Sequence, residues 1–95
     1  MEIVQTEAFQ RSLKGLRDIT AQARVIVAAQ RMASENLGDC KSLGGGLFES
    51  RIHCGPGYRI YFVRQSEDLI VLLLCGDKSG QKSDIQRAKI LQANA

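Results

Sequence analysis

Residues 47–64 read Leu47-Phe48-Glu49-Ser50-Arg51-Ile52-His53-Cys54, then Gly55-Pro56-Gly57, then Tyr58-Arg59-Ile60-Tyr61-Phe62-Val63-Arg64. Two runs of period-2 alternation flank a turn. Pro56 presets φ there, and the glycines permit backbone angles that other residues avoid, so an antiparallel hairpin is expected. In the first run Phe48, Ser50, Ile52 and Cys54 share one face, with Leu47, Glu49, Arg51 and His53 on the other. In the second, Ile60 and Phe62 point away from Arg59, Tyr61 and Val63. After a turn over 65–68, residues 69–74 are continuously apolar, the pattern of a strand covered on both faces.

Working outward, residues 1–5 read as a short strand. Thr6 caps a short helix carrying Phe9, Leu13 and Leu16, which decays at Gly15. Asp18 caps a longer helix to about Glu35, with Gly38 as its stop and a loop over 38–46. Ser83 and Gln86 form a capping box for a last helix from Ile85 to about Ala93. The expected order is β-α-α-β-β-β-α in one domain over 1–95, an α+β fold with helices on a small antiparallel-rich sheet. The second helix has a wide apolar arc, with Ile19, Ala23, Ile26, Val27 and Ala33 on one side and Ala21, Val25, Ala28, Ala29 and Met32 extending it. Such an arc packs on both the sheet and the first helix, or leaves part of itself for a partner protein.

Composition narrows the function. Ninety-five residues suit one domain, and 44% hydrophobic with 24% charged residues is a folded composition. No apolar run approaches the roughly 20 residues of a membrane span, and no basic-then-apolar segment opens the chain. A cytoplasmic protein without a membrane partner is expected. Three cysteines at wide spacing and a single histidine argue against a disulfide framework and a zinc site, so no metal or cofactor is expected. A net charge of +3 is compatible with a polyanion partner. With 5% aromatics and no tryptophan, a single-stranded nucleic-acid module built on rows of stacking rings is a poor fit.

The hairpin holds the most informative group of side chains. Arg51 faces Arg59 or Tyr61 across the strands, and in either register Glu49, Arg51, His53, Arg59 and Tyr61 form one patch. Opposed arginines repel unless something separates them. Glu49 in an internal ion-pair network is one solution, and a phosphate gripped by the planar guanidinium forks is the other. A second cationic group lies in Gly76-Asp77-Lys78-Ser79-Gly80-Gln81-Lys82-Ser83, at a helix N-terminus where free N–H groups favour an anion. Its glycine spacing is not that of a Walker A loop, and a merely solvated capping loop is the alternative. Lys41, before the hairpin, is a third candidate. Nucleophilic acyl chemistry is poorly supported, because Cys54 and His53 point to opposite faces and Cys75 reads as a buried small hydrophobe.

The blocks Gly38-Asp39-Cys40-Lys41-Ser42-Leu43-Gly44, Gly46-Leu47-Phe48-Glu49-Ser50-Arg51-Ile52-His53, Gly55-Pro56-Gly57-Tyr58-Arg59-Ile60-Tyr61-Phe62 and Leu73-Leu74-Cys75-Gly76-Asp77-Lys78-Ser79-Gly80-Gln81 together resemble the addiction module killer protein group of the RelE/ParE toxin superfamily, HigB-like in older naming. The resemblance covers nearly the whole chain. It implies a RelE-like fold and a type II toxin neutralised by a small cognate antitoxin, often a helix-turn-helix protein, through which alone the operator DNA would be reached. RelE-like members cleave messenger RNA, commonly on the ribosome, whereas ParE-like members poison DNA gyrase. Ser50 stands where the group usually has a larger apolar residue and Cys75 where glycine is common; a weakened toxin serving as an antitoxin-binding module is a further alternative.

Metal-free RNA cleavage uses the 2′-hydroxyl as nucleophile on the adjacent phosphate. Arg51, Arg59 and Lys78 suit charge stabilisation. His53, or Glu49 if free of an arginine, suits proton transfer. Tyr58 and Tyr61 are candidates for stacking a base or holding a hydroxyl, and Lys41, Gln81 and Lys82 for contacting RNA.

Overall fold

The computed structural model describes residues 1–94. The chain runs β1 (Glu2–Gln5), α1 (Glu7–Lys14), α2 (Ile19–Ala33), β2 (Asp39–Gly44), β3 (Leu47–Ile52), β4 (Tyr58–Ser66), β5 (Leu69–Asp77), a 3-10 turn (Lys78–Gly80) and α3 (Gln81–Ala93). The strands form one sheet in the order β1-β5-β4-β3-β2. β1 runs parallel to β5, and the β5–β4, β4–β3 and β3–β2 pairs are antiparallel. The fold is α+β and antiparallel-rich, as expected.

Local chemistry sets the helix starts. Thr6 Oγ1 accepts the Phe9 N–H at 3.1 Å, and Asp18 Oδ1 accepts the Thr20 N–H at 2.9 Å, so each N-cap satisfies an amide the helix leaves open. The Thr6 hydroxyl also donates to Leu72 O at 2.8 Å, which fixes the start of α1 to β5.

β5 divides two apolar layers. Ile60, Phe62, Ile70 and Leu72 meet Phe9 of α1 and Val25, Ala29 and Met32 of α2 on one face. On the other, Leu47, Tyr61, Leu73 and Leu74 meet Ala88 of α3. A register shift sets Tyr61 opposite Leu74 but Phe62 opposite Leu72, so Leu73 is the additional residue on β5. Leu73 and Leu74 therefore share a layer despite being neighbours, and strict alternation resumes with Cys75 on the opposite side. Cys75 is buried, its N–H donating to Ser12 Oγ at 3.0 Å, and burial pushes its thiol pKa up. That is the environment of a small hydrophobe.

Three expectations need correction. Residues 39–44 are an edge strand, not loop, so the order is β-α-α-β-β-β-β-α. Polar and glycine-rich as it is, β2 owes its conformation to backbone pairing with β3 from Asp39↔Arg51 to Gly44↔Leu47, with a bulge between Ser42 and Gly44. α2 stops at Ala33, capped at Ser34, and Glu35 rather than Gly38 takes the first left-handed φ beyond it, at 67°. α3 begins at Gln81, four residues before the expected Ile85. The Asp77 side chain caps the preceding 3-10 turn, which runs straight into the helix, and Ser83 lies inside the first turn, its hydroxyl donating to Gly80 O at 3.3 Å.

Ser50 is 2% exposed and its hydroxyl donates to Leu37 O at 2.8 Å, tying the α2–β2 connection to the sheet. A larger apolar side chain would leave that carbonyl unpaired. Ser50→Ala is expected to lower unfolding free energy by about 1–3 kcal/mol, the cost of orphaning a buried polar group; an unchanged urea midpoint would reject this role for the hydroxyl.

Candidate active site

The hairpin closes with Arg51 directly opposite Arg59 and Glu49 opposite Tyr61. Two guanidiniums in register repel, and Glu49 answers them. Its side chain is buried, with Oε1 accepting from Arg51 Nε at 3.2 Å, Oε2 accepting from Gln81 Nε2 at 2.9 Å, and Arg59 Nε 3.6 Å from Oε2. One carboxylate thus joins β3, β4 and the first turn of α3. Both arginines approach it through Nε, and two guanidiniums against one carboxylate leave a surplus positive charge.

That surplus faces a hollow of about 500 Å³ whose wall includes Arg51, His53, Tyr58, Arg59 and Lys78, with Gly55-Pro56-Gly57 along one side. Gly55 and Gly57 have φ of 52° and 88°, which only glycine adopts freely, so the loop chemistry shapes the rim. The Lys78 N–H donates to Gly57 O at 3.0 Å, holding the turn after β5 against the hairpin loop. Lys78 itself meets no acid among the described residues. Arg59 keeps 12% and Arg51 35% of its side-chain surface exposed, so one is a deep and the other a shallow cation. His53 is exposed at the rim, and its Nε2 lies 2.7 Å from Asp39 Oδ2. Three cations and an imidazole oriented by a carboxylate therefore border one depression. That arrangement has the charge and the fork geometry to receive an oxyanion such as a phosphodiester, with an imidazole at its edge.

The family model for phage derived protein Gp49-like (DUF891) matches residues 11–94. The chain belongs to this family. It is similar to an uncharacterised protein of Haemophilus influenzae, 41% identical over 91 residues that cover 96% of this chain and 92% of the relative. Its fold is similar to that of a chain in the crystal structure of the toxin–antitoxin complex RelBE2 from Mycobacterium tuberculosis. The TM-score is 0.64 at 23% identity, over 80% of this chain and 95% of that one. The Gp49-like match runs from within α1 through α3 and so takes in every residue bordering the hollow.

Within this Gp49-like chain, Arg51, Arg59, Lys78, His53 and Tyr58 meet at the hollow, and five other expected site residues do not. Glu49 has no open access and is committed to two arginines, so it positions cations rather than taking a proton from a ligand. Tyr61 is fully buried and reaches no base; its phenol lacks a hydrogen-bond partner among the described residues, and burial, then the charges of Glu49 and Asp84, drive its pKa far up against the pull of Arg59. Gln81 is spent on Glu49. Lys41 on β2 and Lys82 on α3 are exposed but outside the hollow. Nor is the turn after β5 open to an anion: Asp77 Oδ1 already accepts the Ser79 and Gly80 N–H groups at 2.9 and 3.3 Å, and the Ser79 hydroxyl at 2.5 Å. Asp39 was missed by sequence reasoning because its strand reads as loop, and only the pairing of β2 with β3 brings it to His53.

Removing the Glu49 carboxylate leaves two partly desolvated cations facing each other. Glu49→Ala is expected to cost about 3–5 kcal/mol of unfolding free energy in urea titrations, and a loss below about 1 kcal/mol would show the clasp to be unimportant. Asp77 supplies a pH-dependent contribution. The Ser79 hydroxyl and then the Gly80 and Ser79 amides hold its carboxyl below the usual range, against some opposition from burial. The folded pKa is thus depressed. Its stabilisation is present above the unfolded value of about 3.9 and is lost as pH falls through the folded one. Asp77→Ala should cost about 1 kcal/mol at pH 7, with the difference from wild type shrinking as urea melts are taken down to pH 3; a constant difference would refute the assignment.

Proposed function

We propose that the protein is the HigB-like toxin of a type II toxin–antitoxin pair, an endoribonuclease that cleaves messenger RNA without a metal. The observation carrying this reading is the convergence of Arg51, Arg59 and Lys78 from three chain segments on one hollow beside the Asp39–His53 pair. Membership of the Gp49-like family and a fold shared with a chain of a toxin–antitoxin complex support the toxin role and an antitoxin partner. The chain's residues divide the chemistry as follows. The substrate's 2′-oxygen attacks the adjacent phosphorus as its proton leaves, the bond to the 5′-oxygen breaks, and that oxygen takes up a proton. The products are a 2′,3′-cyclic phosphate and a free 5′-hydroxyl. Arg51, Arg59 and Lys78 hold the negative charge that grows on the phosphoryl oxygens. His53, oriented by Asp39, carries one of the two protons. Tyr58 lines the wall beneath, and Glu49 with Gln81 keeps the arginines aimed.

A second reading, a ParE-like gyrase inhibitor, draws on α2. Its solvent face leaves Ile19 80%, Ile26 43% and Val27 42% exposed, an apolar stripe suited to a protein partner. The same stripe serves an antitoxin, so it does not favour gyrase. The weakened-toxin alternative draws on Ser50 and Cys75; the Ser50 hydroxyl is bonded to Leu37 O, and the Cys75 N–H to Ser12 Oγ.

Lys78→Ala tests the reading without disturbing the clasp. Transcript cleavage in induced cells is expected to fall about 10²–10³-fold, with growth restored and the melting temperature unchanged. Transcripts left intact in cells that the wild-type chain arrests would overturn it, and trapped DNA breaks there would point to gyrase.

A further inference from the structure

Beyond Arg51, Ile52 and His53, which it shares with the cationic hollow, lies a second depression of about 580 Å³ between α2 and the β2–β3 edge. Its helix wall presents Thr20, Arg24 and Arg31 with Ala23 and Val27 of the apolar stripe between them, and Ala28, Leu37 and Ile52 add aliphatic carbons. Arg24 and Arg31 are exposed and meet no acid among the described residues. They stand two turns apart on one side of α2, about 10 Å along its axis. Among the described residues the one acid in the lining is Asp39, already engaged by His53 at 2.7 Å. The two depressions thus adjoin at Arg51, Ile52 and His53, and the second carries two unpaired arginines on a largely apolar wall.

We propose that this groove is a second subsite for the same single-stranded RNA, taking the nucleotides next to the scissile bond, with their phosphates on Arg24 and Arg31. The proposal rests on the ribonuclease reading. A phosphodiester seated among Arg51, Arg59 and Lys78 has neighbouring nucleotides that must leave the hollow, and the groove opens directly from the Arg51–His53 wall. Its free charge has the sign that attracts a polyanion, and its aliphatic surface receives the face of a base. His53 at the shared end is the one aromatic ring among the described residues that line it, so stacking is confined to that end and affinity along the groove comes mainly from binding the phosphates. Recognition there is therefore tolerant of base identity and sensitive to salt. An acidic protein segment is the competing occupant.

The test compares 2′-O-methyl oligouridylates, which bind but lack the nucleophile, by fluorescence anisotropy across a salt series. For the wild-type chain an octanucleotide is expected to bind at least about tenfold more tightly than a dinucleotide. Arg24→Gln with Arg31→Gln should remove that advantage and leave dinucleotide binding unchanged. The slope of log affinity against log salt should flatten by about 0.7 for each phosphate that is no longer neutralised. Both positions are exposed, and circular dichroism checks that the double variant folds. Equal affinity for the two lengths, or a double variant that holds the octanucleotide with an unaltered salt slope, overturns the subsite, including where that variant instead fails to bind a protein partner. Lys78→Ala separates the two levels. If it weakens binding of both lengths while the Arg24 and Arg31 changes do nothing, the subsite fails and the ribonuclease reading stands. If neither oligonucleotide binds the wild-type chain, both fall.

Discussion

A single buried carboxylate holds this architecture and its candidate site together. The hairpin register that aligns the apolar layers also sets Arg51 against Arg59, so fold and electrostatics conflict at that point. Glu49 resolves the conflict from inside, bonding Arg51 and Gln81 and lying beside Arg59. Two cations against one anion, all partly or wholly removed from water, is a costly arrangement: Arg51 is hydrogen-bonded to the carboxylate, whereas the buried Arg59 Nε has no hydrogen-bond partner among the described residues and is held by charge alone. Because the pairing uses the Nε atoms, the outer edges of the guanidiniums remain for a ligand. The residue that stabilises the hairpin is the same one that aims its charges.

The neighbouring packing follows the same logic. Gly76 stands opposite Arg59 and contributes no side chain, and Asp84 of α3 comes so close that a Cβ at Gly76 would strike its Oδ2. Burial raises the Asp84 pKa, with Arg87 opposing. α3 thus sends Gln81 to Glu49 and Asp84 over Gly76, and its first turn serves both as a lid on the clasp and as an anchor for the Lys78 turn. Asp77, capping its own turn, leaves Lys78 as the positive element there. A loop that looks like an anion trap in one dimension is filled by the chain's own acid.

Much of this was legible in residues 47–64. Period-2 alternation gave the correct faces for Phe48, Ile52, Ile60 and Phe62 against Leu47, Glu49, Arg59 and Tyr61, because one buried layer on each side tolerates no slip of register. The Thr6 and Asp18 caps were legible too, since a cap acts within three residues of itself. β2 was not, because an edge strand of Asp39, Cys40, Lys41, Ser42 and glycine has little strand preference and takes its shape from a partner. The start of α3 was obscured because Ser83 and Gln86 have the spacing of a capping box, whereas the helix runs on from a 3-10 turn capped by Asp77 and has Gly80 at its N-cap.

The sequence by itself determined the hairpin, the buried interior strand, the N-caps of the first two helices and a basic patch on one hairpin face, since all depend on neighbours close along the chain. Tertiary structure alone decided which charges are spent and which are free. Glu49, Gln81 and Tyr61 went inside, Lys41 and Lys82 stayed on the surface outside the hollow, and Asp39 arrived at His53. Burial and ion pairing depend on groups brought together from distant segments. The difference between a solvated cation and an aimed one is therefore a property of the folded chain, not of its local pattern.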